Sequence, residues 1–378
     1  MKSTHLARNG ARTRVLHVFG SLRRGGAEMR TLEVLRRLDS VRFSFAMVAL
    51  SGERGELSDQ AEAEGFVVEP CVLGPGFAGR FTALLRRLEV DVLHSHVHYA
   101  SGYLLWLAKR AGVRQRIAHF RNTSDGQGHG LRRQVQRAVM RRMLDRYATD
   151  ILAVSEGTMV EAWCADWPAD PRCRVILNGL DTSRFEAEVA PDDVRREFGW
   201  GATSSIYINV ASFQPAKNQL RVVDVFHHIA QRQAGARLLL VGRDVNGYQS
   251  RVREAVERRG LAAKVTFAGE RDDVPRLLKA FDVLLFPSKW EGLPGAVLES
   301  CAAGLPVVAS DIPGVLEIGR HFPTVRPLSL TESDGVWAQH AIEAAAAPRE
   351  HRRTTFENTP FALGRAAASL RSVYERAG

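Results

Sequence analysis

Residues 286–313, FPSKWEGLPGAVLESCAAGLPVVASDIP, constrain the chain more than any other stretch, because they set strand, polar turn, short helix and second strand around two carboxylates. Seven residues separate Glu291 from Glu299, and Gly292, Leu293, Pro294 and Gly295 between them form a tight turn that opens a helix ending near Ala303. Pro294 suits the first helical position, where no backbone donor is wasted. The amides of Gly295 and Ala296 then point out of a helix N-terminus, which carries partial positive charge and suits a phosphate. Glu291 lies just before that anion site and Glu299 one to two turns beyond it. One carboxylate can meet a ligand's near end and the other its far end, as a molecule with a diphosphate between two hydroxylated rings would require. Two solvated glutamates on an ordinary strand-turn-helix would leave the same spacing.

With 378 residues the chain exceeds one ordinary core, and two domains are expected. Hydrophobic content of 45% and charged content of 25% are those of a globular protein, whereas a net charge of +10 marks a surface that seeks anions. Cys71, Cys164, Cys173 and Cys301 show no C-x-x-C pairing, which argues against a disulfide framework or a zinc site. No apolar run approaches the about 20 residues of a membrane span, and the basic N-terminus lacks the apolar segment of a signal peptide. A cytoplasmic protein, free or peripheral at the membrane's inner face, is expected.

The first half alternates short apolar runs with helical stretches. VLHVF at residues 15–19 leads into a glycine-rich turn and a helix beginning near Gly26; further strands are expected at residues 43–50, 66–73, 91–96, 116–120 and 151–155. Such alternation predicts a parallel sheet covered on both faces, with ligands at the carboxyl ends of its strands. Gly20, Gly25 and Gly26 are not spaced as G-x-G-x-x-G, and no P-loop Lys follows, so Gly25 and Gly26 remain a turn where backbone can approach a ligand. His94, His96, His98, His119, Arg121 and Asn122 collect at strand ends. H-x-H-x-H could hold zinc, yet no carboxylate or Cys stands at ligand spacing, and no metal is expected. His119 and Arg121, two apart on a strand, share a side. Residues 130–146 form a helix carrying Arg132, Arg133, Arg137, Arg141, Arg142 and Arg146, with Leu131, Val135, Val139 and Leu144 as its apolar side. A solvated face is the default for such a run; the functional alternative is a patch drawn to anionic lipid. Aromatic interleaving is sparse, which disfavours nucleic acid.

A second strand-helix set starts at residue 205 and runs through 236–242, 264–269 and 283–288. Lys217, near the start of the helix after the first of these strands, can neutralise a diphosphate through its flexible ammonium. The glutamate pair of residues 286–313, with EGLP before it and E-x-x-A-x-G-x-P-V-V-A-S behind, resembles the donor-site signature of retaining GT-B glycosyltransferases related to glycosyltransferase family 4. The GG-x-E loop at Gly25, CRVILNGLDTSRF at 173–185, PAKNQ, ERDDVP and RIAH-x-x-N extend the resemblance from Val15 to about Gly319, nearest to bacterial capsule and exopolysaccharide transferases.

The resemblance implies two Rossmann-like domains facing across a cleft. An acceptor-side domain at residues 1–185 is followed by a linker at 186–204, a nucleotide-sugar domain at 205–355 and a helix at 356–378 crossing back to the first domain. It implies that Glu291 touches the transferred sugar, that Glu299 holds the ribose, and that Lys217, Gly295 and Ala296 bear the diphosphate. Backbone beside Gly269, Glu270 and Arg271 holds the base, and Gly25 and Gly26 meet the donor phosphates and the acceptor. Where the family has a sugar-contacting His this chain has Arg121, with His119 two residues earlier; where the family has a phosphate-binding Arg it has Ser212, for which Arg243 or Arg271 could substitute. The implied activity is transfer from a UDP- or GDP-linked sugar to a glycan or polyprenyl-linked acceptor, without cofactor or metal. A GT-B epimerase on a nucleotide sugar and a catalytically silent scaffold of a polysaccharide-assembly complex are the alternatives.

Overall fold

The computed structural model describes residues 12–124, 130–347 and 356–377. The basic N-terminal residues 1–11 and the expected second-domain boundary at 355 lie outside them. Seven parallel strands form the first sheet: β1 (Thr13–Phe19), β2 (Phe43–Ala49), β3 (Val67–Pro70), β4 (Val92–Ser95), β5 (Gln115–Phe120), β6 (Asp150–Ala153) and β7 (Cys173–Val175), in the order β3-β2-β1-β4-β5-β6-β7. The interior strands β4, β5 and β6 are buried along nearly their whole length, as continuous apolar runs in a doubly covered parallel sheet require. Chain order reverses between β1 and β4, which opens a crevice at the carboxyl ends of these two strands. His17 pairs in register with His94 across β1 and β4.

The second sheet has six parallel strands, β8 (Ile206–Val210), β9 (Arg237–Val241), β10 (Val265–Gly269), β11 (Val283–Phe286), β12 (Val307–Ser310) and β13 (Val325–Leu328), ordered β10-β9-β8-β11-β12-β13. Its reversal falls between β8 and β11, so Lys217 and residues 287–295 emerge at the same place. The architecture is thus two Rossmann-like parallel-sheet domains, the GT-B arrangement.

Residues 186–204 are more than the polar tether their composition suggests. They contain the helix Pro191–Glu197, with Pro191 in its first turn, Asp192 and Asp193 following, and Arg195 and Arg196 in its last turn. This placement suits both the fixed φ of proline and the helix dipole. Val194 and Trp200 are buried in the core beneath the second sheet, beside Phe281 and Leu284. The helix Leu363–Tyr374 returns to the first domain and packs Ala366, Leu370 and Tyr374 among Val15, Phe43 and Ile117.

Candidate functional site

The domains meet over a cleft of about 480 Å³ lined by Gly25, Gly26, Arg30, Arg121 and Asn178 from one side and Lys217, Arg243, Glu291, Gly295, Ala296 and Glu299 from the other. The helix Gly295–Ala302 starts one residue later than its sequence suggests, with Pro294 extended at the cap (φ −70°, ψ 116°), so the Gly295 and Ala296 ends of the helix open on the cleft. Lys217 ends a single turn of tight helix at Pro215–Lys217, and its Nζ lies 2.6 Å from Glu291 Oε1. Glu291 is 8% exposed, and the pairing is what allows its charge to be buried. Glu299 is paired with a residue the sequence did not flag: Arg30, 4% exposed on the helix Gly26–Leu35, reaches across the cleft to it while also holding Glu33.

Arg271 and Arg243 differ. Arg271 lines the cleft's edge but is engaged at 2.7 Å by Asp273 and at 2.9 Å by Glu197. Arg243 Nη1 is buried without a hydrogen-bond partner. Gly269 ends β10 in the left-handed region (φ +66°) at a bulge, and the neighbouring Glu270 and Arg271, rather than Gly269, reach the cleft. Gly242, at the cleft's edge, has no room for a side chain: a Cβ there would stand 2.0 Å from the carbonyl oxygen of Ala211. The chain's own backbone occupies that space.

Arg121 and His119 are separated by depth. Arg121 lines the cleft, partly buried, and its Nη2 donates to the carbonyl of Ala27 at 3.1 Å. His119 lies beneath, in a cluster that lines a separate cavity of about 20 Å³, room for about one water molecule. There His96 Nε2 meets His17 Nδ1 at 3.0 Å, His17 Nε2 meets the Tyr374 hydroxyl at 3.2 Å, that hydroxyl meets His94 Nδ1 at 2.7 Å, and His94 Nε2 meets His119 Nδ1 at 3.0 Å. Burial first, and the Arg121 charge with it, lowers the pKa of all four histidines, that of His17 to about 3. Burial pushes the Tyr374 hydroxyl well up, so all five groups are neutral. A neutral imidazole has one donor and one acceptor, and the chain therefore has two tautomeric arrangements, each leaving one donor and one acceptor at its ends, His96 Nδ1 and His119 Nε2. Both end atoms are buried and unpartnered.

His17, His94 and His96 also come nearest to a metal site, their ligand atoms all lying within 4.8 Å of one another. Their inner nitrogens are, however, spent on one another, on Tyr374 and on His119. Sequence reasoning noted His94, His96 and His119 but missed His17 and Tyr374. The late histidine in each of VLHVF, DVLHSH and RIAHF was the available signal, and it became legible only with the strand order β1-β4-β5.

The domains pack closely at Gly292. A Cβ on Gly292 would stand 2.2 Å from the carbonyl oxygen of Arg121 and 2.9 Å from Val154. Beside it Ser155 Oγ donates to Gly292 O at 3.2 Å, and Asn178 Nδ2 to Leu293 O at 3.4 Å.

The arginine-rich helix Leu131–Tyr147 inverts its expected polarity: Leu144 alone of the four apolar positions is buried, whereas Leu131, Val135 and Val139 are 78%, 57% and 50% exposed. Arg133 and Arg137 are half-buried, and Arg141 is held by the carbonyl and ring of Trp163. Arg132, Arg142 and Arg146 are the outward cations beside the apolar stripe. Among the described residues no helix is long and apolar enough to cross a membrane.

Two domains of this fold, with a cation-lined cleft at their switch points, define the GT-B class. Residues 24–184 match the family Glycosyltransferase Family 4 and residues 192–326 match Glycosyl transferases group 1. The chain is 30% identical over 313 residues to the capsular polysaccharide biosynthesis glycosyltransferase CapH of Staphylococcus aureus, covering 82% of this chain and 84% of that one. It is 28% identical over 354 residues to the putative glycosyltransferase EpsF of Bacillus subtilis, covering 91% of each. In fold it is similar to Anabaena HepE, solved in complex with UDP and glucose, with a TM-score of 0.81 and 19% identity over 96% of this chain and 100% of the other. The chain belongs to the family 4-like GT-B glycosyltransferases of the capsule and exopolysaccharide type, and it is an enzyme that transfers sugars. Neither the epimerase nor the silent-scaffold alternative is favoured by these likenesses.

Proposed function

We propose that this enzyme transfers a sugar, with retention, from a nucleotide-diphosphate sugar to a glycan or polyprenyl-linked acceptor in polysaccharide biosynthesis at the cytoplasmic face of a membrane. The observation that carries the donor reading is the convergence of Lys217, Glu291, Glu299 and the N-terminal end of the helix Gly295–Ala302 on one cleft of about 480 Å³, a volume suited to such a ligand. Glu291 and Glu299 each already hold a cation. A diphosphate entering beside the Gly295 amides would draw Lys217 to itself, freeing Glu291 for sugar hydroxyls, while ribose hydroxyls would replace Arg30 at Glu299. Arg243, with its unpartnered Nη1, supplies the second phosphate cation that Ser212 cannot. As the glycosidic bond breaks, the leaving diphosphate gains negative charge, so Lys217, Arg243 and the helix end stabilise the transition state more than the ground state. That HepE was solved with UDP and glucose supports a nucleotide-sugar donor.

The outward stripe of Leu131, Val135 and Val139 flanked by Arg132, Arg142 and Arg146 supports a membrane-lying helix and hence a lipid-linked acceptor. Each basic residue near an anionic surface contributes about 1 kcal/mol.

The donor test is thermal unfolding of the purified protein with UDP, GDP, ADP and their sugars, repeated with Lys217→Ala and Glu299→Ala. Specific binding raises the midpoint by mass action. One nucleotide should stabilise the wild type and neither variant; no shift with any nucleotide at concentrations well above millimolar would overturn the donor assignment.

A further inference from the structure

Three carboxylates of the cleft are taken in pairs: Glu291 by Lys217, Glu299 by Arg30 and Asp272 by Arg24. Arg121 is not paired in this way, nor are Arg184 and Arg243. Among the described residues Arg121 forms no ion pair; one guanidinium nitrogen reaches the Ala27 carbonyl, and Nε is sealed from solvent with no acceptor. Beneath it lie four neutral histidines and a neutral tyrosine, none of which offers a countercharge. The carboxylate that feels Arg121 most is Glu28, whose own pKa is raised by burial and whose field is shared with Arg243. Arg121 therefore sits in a desolvated wall with positive charge left over.

Its position is equally specific. The Arg121 carbonyl abuts Gly292, the residue next to Glu291 on the opposite wall, while its guanidinium reaches Ala27 on its own wall. On the reading that gives Glu291 the sugar hydroxyls, the surplus charge stands on the wall facing that residue. Resting on the nucleotide-sugar reading above, we propose that Arg121 recognises the carboxylate of a uronic acid, carried either by the transferred sugar of the donor or by the terminal sugar of the acceptor. A guanidinium presents a planar fork that matches a carboxylate with two parallel hydrogen bonds, which neither lysine nor histidine reproduces. A neutral hexose would leave the fork unpaired, and sites with unpaired buried polar groups reject such analogues strongly. Recognition here is binding alone, with no bond made or broken by Arg121.

The test is calorimetric titration of the full chain with bare UDP and GDP, then with paired sugars of the nucleotide that binds: UDP-glucuronate against UDP-glucose, or GDP-mannuronate against GDP-mannose. A second arm titrates the nucleotide-loaded enzyme with methyl glucuronide against methyl glucoside. Wild type, Arg121→Met and Arg121→Gln are compared, each first checked for a wild-type response to bare nucleotide, which shows that it is folded.

A preference of at least tenfold for the carboxylated sugar, lost in both variants, is expected. Seen in the first arm it places the uronic acid on the donor, and in the second on the acceptor. Equal binding of neutral and carboxylated sugars in both arms overturns the proposal, as does a preference that survives Arg121→Met and Arg121→Gln. Failure of every bare nucleotide to bind the wild type would instead strike the donor reading itself and take this proposal with it.

Discussion

The two walls of the cleft handle buried polarity in opposite ways. The second domain keeps its charges and pairs its two central carboxylates: Glu291 with Lys217 inside its own wall, and Glu299 with Arg30 across the gap. Beneath the first domain's wall the titratable groups are neutral, four imidazoles and a phenol joined end to end. An ion pair can exchange its partner for a ligand of like charge, whereas a linear chain of neutral groups can only shift protons along itself. The second wall is thus built to be re-partnered and the first to be a stiff floor under Arg121. In physical terms, one wall is sensitive to the loss of a single charge and the other to the gain of one.

Acid should have the largest effect, and it acts on the floor. The folded-state pKa values of His17, His94, His96 and His119 lie below the usual 6.5, His17 at about 3. The unfolded chain therefore binds more protons than the folded one as pH falls below about 6.5, and stability present above that pH is lost on acidification, by about 1.4 kcal/mol per pH unit for each histidine. Denaturant melts between pH 7.5 and 4.5 should show this slope. It should be markedly shallower in His17→Phe and His96→Phe, and a slope indifferent to both would show that the floor is not neutral. Tyr374→Phe, which leaves His17 Nε2 and His94 Nδ1 without a partner, should cost about 1–3 kcal/mol at neutral pH.

Loss of charge should tell on the opposite wall. Glu291→Ala removes the sugar contact and leaves Lys217 unpaired in the ligand-free cleft. A fall of about 100-fold in transfer rate at saturating donor is expected, equivalent to about 2.7 kcal/mol. A rate within about threefold of wild type would mean that Glu291 serves only to hold Lys217. Gly292→Ala tests the seam between the walls, since the added Cβ meets the Arg121 carbonyl at 2.2 Å. Overpacking of this kind costs about 1–3 kcal/mol, and a lowered melting temperature together with weaker transfer is expected, both absent if the domains can part there without penalty.

The second wall was the more legible in sequence, and the reason is locality. Glu291, Gly295 and Glu299 lie within one strand-turn-helix unit, so spacing alone fixes their relation, and Lys217 emerges at the adjoining switch point. The first wall is assembled from β1, β4, β5 and the helix Leu363–Tyr374, which ends 357 residues after His17. Nothing in the spacing of His17, His94, His119 and Tyr374 announces that they touch. Arg30 escaped notice for a similar reason: within its own helix it reads as a partner for Glu33, and its link to Glu299 exists only when the domains face each other. The helix Leu131–Tyr147 shows the converse, a periodicity read correctly as helical but assigned the wrong inward face. Gly102 of the helix Ser101–Ala111 meets the backbone of Met140 and Leu144, and this close approach, not the valines, sets the contact.

The smallest effect sharpens the contrast between a charge that is spent and one that is available. Arg271 and Arg243 both line the cleft from the second domain, and sequence alone offered either as the substitute for a missing phosphate cation. Arg271 is tied to Asp273 and Glu197 with 27% of its side chain exposed. Such exposed pairs are worth roughly 0–1 kcal/mol, so Arg271→Ala should move the melting temperature little and nucleotide affinity hardly at all. Arg243→Ala removes a guanidinium with an unpartnered buried nitrogen and should weaken nucleotide binding about tenfold, equivalent to about 1.4 kcal/mol. Titration of both variants with the nucleotide that stabilises the wild type decides the matter. If Arg271→Ala proves the more damaging, its ion pairs must open on binding, and the second wall re-partners its charges more widely than Lys217 and Glu291 alone.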